Sequence, residues 1–158
     1  MTSNPHDVRS RIINYSIWVE MFLTEFIRKY FVKEENKSKE FEDFILSKEF
    51  FTFEQKINVF TRILRKSKEI NIRDGAGEEF NAMKDYKIFI EKVRYIKDIR
   101  NILAHNHPFT KRTGEPYVGY TKDDKKKELI LNEEFDQQFF MKYIYVSDTL
   151  RRLIKCFD

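Results

Sequence analysis

The sequence predicts an all-α protein: a bundle of four to five helices with one small β-hairpin between the last two. Apolar residues recur at helical spacing over long windows. Breakers are scarce, with 4 Gly and 3 Pro in 158 residues, so few turns interrupt those windows. Beyond Pro108, short runs of strand-forming residues replace the helical period. At this length one domain, 1–158, can bury a core without disulfides or a structural metal. The 16 Phe, 8 Tyr and single Trp supply the bulk for that core.

From Asp7 to about Val32, Ile13, Ile17, Met21 and the set Trp18, Phe22, Phe26 mark a long first helix. The charged segment from Glu34 to Glu40 reads as a connector, followed by a short helical turn carrying Phe41, Phe44 and Ile45. Thr52-Phe53-Glu54-Gln55 matches a capping box, in which hydroxyl and amide side chains satisfy free N–H groups at a helix start. Ile57, Phe60, Ile63 and Leu64 give the helix behind it an apolar face. Asn71 to Glu79, with Asp74, Gly75, Ala76 and Gly77, reads as a loop. A further helix runs from about Met83 to His105 and stops near Asn106, because Pro108 disfavours helical geometry in the residue before it. Tyr117 to Thr121 and Glu128 to Leu131 read as hairpin strands around a charged tip, Lys122 to Lys127. Asn132 caps a last helix bearing Phe135, Phe139, Ile144, Val146, Leu150, Leu153 and Ile154.

Charge excludes little. The balance of 30 Lys and Arg against 26 Asp and Glu gives +4, compatible with polyanion binding but equally with a solvated surface. Arg62, Arg65, Lys66 and Lys68 carry the same two meanings. Cys156 is alone and cannot close an internal bridge, and no Cys/His cluster has zinc-ligand spacing. A reducing, cytoplasmic setting is the expectation, with no metal and no cofactor. The N-terminus is polar, and nowhere do about 18 apolar residues run together, so neither secretion nor a membrane partner is expected.

The chemistry concentrates in Arg100-Asn101-Ile102-Leu103-Ala104-His105, at the end of the helix that starts near Met83. At about 100° per residue, Ile88, Phe89, Tyr95, Ile96, Ile99, Ile102 and Leu103 share a broad core face. Lys97, Arg100, Asn101, Ala104 and His105 occupy the remaining arc, with Arg100 and His105 about 140° apart. One straight helix therefore cannot easily aim both side chains at one phosphate. Ala104 leaves a shallow trough between them, and a two-fold dimer packed along this arc would bring both pairs into one cleft.

These side-chain types suit cleavage of RNA by its own 2′-hydroxyl. His105 would act as general acid or base, since an imidazole exchanges a proton near neutral pH. Arg100, permanently charged and able to grip phosphate through two parallel hydrogen bonds, would stabilise the pentavalent transition state. Asn101 shares an i, i+4 ridge with His105 and would orient its ring or donate to a phosphate oxygen. Asp98 would position Arg100 or Asn101. Lys97, His107, Lys125, Lys126 and Lys127 are candidate RNA contacts, and Tyr117 and Tyr120 could stack on bases. The plainer meaning of the same hexapeptide is a helix end whose arginine makes a surface ion pair and whose histidine caps carbonyls.

The arrangement resembles the signature of the HEPN superfamily, an Arg followed by Asn, His or Lys and then, four to six residues after the Arg, a His near a helix end. Here the intervening residues are Asn101 to Ala104. The resemblance implies a HEPN-like helical fold and a metal-independent endoribonuclease leaving 2′,3′-cyclic phosphate ends. It implies a homodimer with the site shared across the two-fold, and a toxin or phage-defence role restrained by an antitoxin or regulatory protein. The alternative within the same fold is a noncatalytic module binding RNA, a nucleotide or a partner protein.

Overall fold

The computed structural model describes residues 4–32, 35–46, 48, 51–66, 71–73, 79–81 and 84–157. Helix α1 (Pro5–Phe31) begins where Asn4 accepts a hydrogen bond from the His6 N–H at 3.1 Å, with Pro5 in the first turn, where a missing N–H costs nothing. Its buried stripe, Val8, Ile12, Ser16, Val19, Leu23, Phe26 and Ile27, follows the three-to-four residue helical step. Ser16 is tolerated there because its hydroxyl donates to the Ile12 carbonyl at 2.7 Å.

After α1 come α2 (Glu35–Phe41) and a π-helical turn (Glu42–Leu46). The expected connector over Glu34–Glu40 is thus helical from Glu35. The cause is tertiary: Arg28 of α1 donates to the buried Ser38 hydroxyl and lies 3.8 Å from Glu42. Helix α3 (Phe53–Lys66) opens on the capping box read from the sequence, with Thr52 N–H donating to Gln55 at 2.7 Å and Gln55 N–H to the Thr52 hydroxyl at 3.3 Å. Strands β1 (Asn71–Arg73) and β2 (Glu79–Asn81) pair antiparallel, so both ends of the expected loop are strands. Its centre, 74–78, and Lys68 lie outside the described residues.

Helix α4 (Tyr86–His105) stops as Pro108 requires, with Asn106 already extended. Strands β3 (Pro108–Thr110), β4 (Pro116–Lys122) and β5 (Lys125–Ile130) then form an antiparallel sheet in that order. The simple hairpin has a third, edge strand, whose proline is tolerated because an edge leaves one side unpaired. The tip is Asp123-Asp124 alone, both at positive φ (52° and 58°), the pattern of a tight two-residue turn, so Lys125, Lys126 and Lys127 lie on β5 and not at the tip. Helix α5 (Glu133–Lys155) starts with Asn132 accepting from Phe135 N–H at 2.9 Å.

The packing order can be read from side-chain pairs. Arg11 meets Asp136, Tyr15 stacks on Tyr143, Arg151 lies over Phe22, and Phe26 meets Phe157, so α5 runs parallel to α1. Glu54 meets Lys97 and Phe60 meets Phe89, so α4 runs antiparallel to α3. Among the described residues, α1, α3, α4 and α5 form the bundle. One end of it gathers the start of α1, the end of α4, the three-stranded sheet and the start of α5. No helix is long and apolar enough to cross a membrane among these residues.

Phe60 is fully buried, 4.7 Å from the Phe26 ring and 5.7 Å from Phe89, tying α1, α3 and α4 together. Phe60→Ala is expected to cost about 3–5 kcal/mol in urea denaturation through lost burial and a cavity. Met141→Ala, at a side chain 68% exposed, should change stability by less than about 0.5 kcal/mol.

Candidate functional site

Helix α4 packs against α1, α3 and α5. Phe89, Ile90, Val93, Ile96, Ile99 and Leu103 are buried as a result. The expected face shifts: Ile88 is 53% exposed, Tyr95 and Ile102 are half-buried, and Ile90 and Val93 join the core. Contact with α3 on one flank and α5 on the other explains this, since the buried arc is set by neighbours rather than by the apolar stripe alone. Arg94, Asp98, Asn101, Ala104 and His105 face solvent, and Arg100 sits at the edge.

The last turn is anchored from two sides. Asn106 closes on the Ile102 carbonyl through its N–H at 3.1 Å and its side-chain amide at 2.8 Å, while Arg9 Nε of α1 donates to the Leu103 carbonyl at 2.7 Å. These are the carbonyls a helix end leaves unpaired, so the turn carrying His105 is fixed without using the imidazole. Among the described residues, no hydrogen bond or ion pair holds the His105 side chain, and His107 is exposed in the extended segment beyond.

Arg100 is held by α1. Its Nη2 lies 3.9 Å from Glu20 Oε2, and its Nη1 lies 3.5 Å from Asn101 Oδ1, at the outer limit of a hydrogen bond. The other oxygen of Glu20 accepts from the buried Lys56 of α3 at 2.8 Å. Glu20 therefore links three helices, meeting the motif arginine at the outer limit of an ion pair. Asp98 contacts Lys97 at 3.2 Å, so the carboxylate beside Arg100 comes from α1 and not from Asp98.

Lys97 faces inward to α3, with Nζ 2.5 Å from Glu54, which Arg94 also approaches at 3.4 Å. Burial pulls the Lys97 ammonium down, but its hydrogen bonds to Glu54 and Asp98 outweigh this and hold it above its ordinary range. The Lys97 hydrogen bond holds the Glu54 carboxyl below its own ordinary range, against an opposing push from burial. Lys97 is thus occupied within the bundle, whereas Lys125, Lys126 and Lys127 are exposed on β5 and enter no ion pair among the described residues. Cys156 is exposed as a residue, partial burial pushes its thiol up, and its Sγ donates to the Arg152 carbonyl at 3.5 Å.

Arg100, Asn101, Ala104 and His105 thus share one end of α4, with Arg100 at the edge of the exposed arc, and among the described residues no hydrogen bond joins Arg100 to His105. Arg9 and Glu20 were not singled out by sequence. An acidic residue flanked by Val19 and Leu23 on a long apolar helix was the signal for Glu20; Arg9 gave none, since its partner is a backbone carbonyl far along the chain. Among the described residues, no group of three or more His, Cys, Asp or Glu could hold a metal ion. No family model, no curated protein and no solved structure matches this chain.

The Glu54–Lys97 pair has a pH signature. A depressed carboxyl stabilises the fold above its unfolded pKa, and that contribution is lost as pH falls through the folded-state value. Glu54→Gln should lower stability at pH 7 by under about 1 kcal/mol, given its partial exposure, with the gap to wild type shrinking below about pH 4. Urea melts across an acid series measure this.

Proposed function

We propose that the chain is a metal-independent endoribonuclease of the HEPN type that works as a homodimer, with Arg100, Asn101 and His105 of both copies lining one cleft. The observation that carries this reading is the exposed arc at the end of α4: a guanidinium within ion-pair distance of Glu20, an imidazole with no hydrogen-bond partner among the described residues one turn further on, and the small Ala104 between them. A second copy supplies what the angular separation denies to one.

In this mechanism one imidazole takes the proton from the ribose 2′-hydroxyl as that oxygen attacks the adjacent phosphorus. Arg100 neutralises the charge on the pentavalent phosphorane, and the imidazolium so formed gives its proton, directly or through water, to the departing 5′-oxygen. The P–O5′ bond breaks as the P–O2′ bond forms, leaving a 2′,3′-cyclic phosphate and a 5′-hydroxyl. Asn101 holds a nonbridging oxygen or the histidine ring. Such an activity would harm its own cell, and by analogy the role is that of a toxin or phage-defence effector restrained by an antitoxin or regulatory protein.

The Glu20–Arg100 ion pair favours a second reading, a noncatalytic module that binds RNA, a nucleotide or a partner protein, with Arg100 gripping a phosphate and no cleavage occurring. The two readings differ at His105. With labelled RNA in excess EDTA, wild type should generate cyclic-phosphate ends and leave DNA of the same sequence intact. His105→Ala and Arg100→Ala should each lose about 10²-fold or more in rate while remaining folded. Intact RNA with wild type, or equal cutting by His105→Ala, refutes the nuclease.

A further inference from the structure

Next to the motif lies a groove of about 590 Å³ that the catalytic reading does not use. One wall is Asn106, the residue after His105; the other is the far half of β4 with the facing part of β5. Its origin is a step in the sheet. Strand β3 pairs with β4 only from Pro116 through Val118, so Gly119, Tyr120 and Thr121 have no strand beside them on that edge among the described residues. Across β5 they register with Glu128, Lys127 and Lys126.

The lining has a definite chemistry. Lys126 and Lys127 are exposed and enter no ion pair among the described residues. The acidic lining residue, Glu128, is already bound to Lys111 at 2.8 Å, which leaves the lysines to set the sign of the groove. Tyr120 is half-buried and has no ring partner among the described residues. Tyr117, by contrast, is occupied by Phe109 at 6.0 Å and Lys111 at 5.5 Å. At Gly119 a Cβ would meet nothing within 4 Å, so the wall is open where a ligand would approach the backbone. The side-chain amide nitrogen of Asn106 donates to the Ile102 carbonyl at 2.8 Å, which fixes this residue at the groove wall.

We propose that this groove is a subsite for single-stranded RNA: one base stacks on Tyr120 and the flanking phosphates pair with Lys126 and Lys127. The proposal rests on the nuclease reading for its role, which is to hold the nucleotides beside the bond that His105 and Arg100 cut. An aromatic ring with no ring partner among the described residues, Lys127 directly across the ladder from it and Lys126 one position on at the same sheet edge, is a combination that binds unpaired strands, because stacking needs an unstacked base and the phosphates need only charge. A duplex keeps its bases stacked and gains nothing from Tyr120.

The test uses a fluorescein-labelled oligouridylate and the full-length His105→Ala chain, so that binding is read by anisotropy without cleavage. Lys126→Glu with Lys127→Glu should weaken binding at least about tenfold and flatten the log–log salt dependence by about 0.7 per lost phosphate contact. Gly119→Leu, which fills the groove at a position with open space, should weaken binding with the salt slope unchanged. In the wild-type background both changes should raise KM with little effect on kcat. Unchanged affinity in both variants, or equal affinity for an RNA duplex of the same length, overturns the subsite. If RNA is cut but these variants bind normally, the groove fails and the nuclease stands. If nothing is cut but binding depends on these residues, the groove stands and the nuclease fails.

Discussion

Helix α1 buries one stripe, from Val8 to Ile27, against α3, α4 and α5 together, and the position of that stripe fixes where α4 can lie. The same helix then reaches α4 with two charged side chains. Arg9 closes the Leu103 carbonyl at the end of the motif turn, and Glu20 holds Arg100 while also accepting from Lys56. Apolar burial sets the rough placement of the motif, because it is non-directional and large. The charged contacts set its orientation, because they are directional and individually small. Loss of these contacts would leave α4 helical but free to turn the arc that carries Arg100 and His105.

That division explains what could be read from the sequence. Local backbone chemistry was legible: the Thr52–Gln55 capping box, the Asn132 cap and the stop before Pro108 each depend on residues within a few positions. Features that depend on distant partners were not. Helix α2 is polar outside and is held by Arg28 through Ser38 and Glu42. Strand β3 is a short edge beginning with proline, too brief for an alternation signal. The Asp123-Asp124 turn uses residues that tolerate positive φ less readily than glycine, so the lysines beside it read as a tip.

The site divides the same way. Exposure of Asn101, Ala104 and His105 follows from the helical wheel, since their arc carries little apolar surface. The fate of the charges does not. Lys97 shares that arc, yet Glu54 draws it into the bundle, and Asp98 follows Lys97 instead of Arg100. Among the described residues, Lys125, Lys126 and Lys127 on β5 are exposed basic groups that enter no ion pair. They lie at the same end of the bundle as His105, because the sheet grows directly out of the motif helix.

One chain carries an arginine and, among the described residues, an unpartnered histidine that do not meet, and in the proposed nuclease a second copy completes the site. Mixing the Arg100→Ala and His105→Ala chains, each inactive alone, tests this most directly, with heterodimer formation followed by native mass spectrometry during the same RNA assay. Complementation predicts cleavage that rises with the heterodimer fraction, since the mixed cleft regains one arginine and one histidine. Heterodimers that form and cut nothing, or a wild-type chain that cuts RNA while remaining a strict monomer, would contradict the shared site.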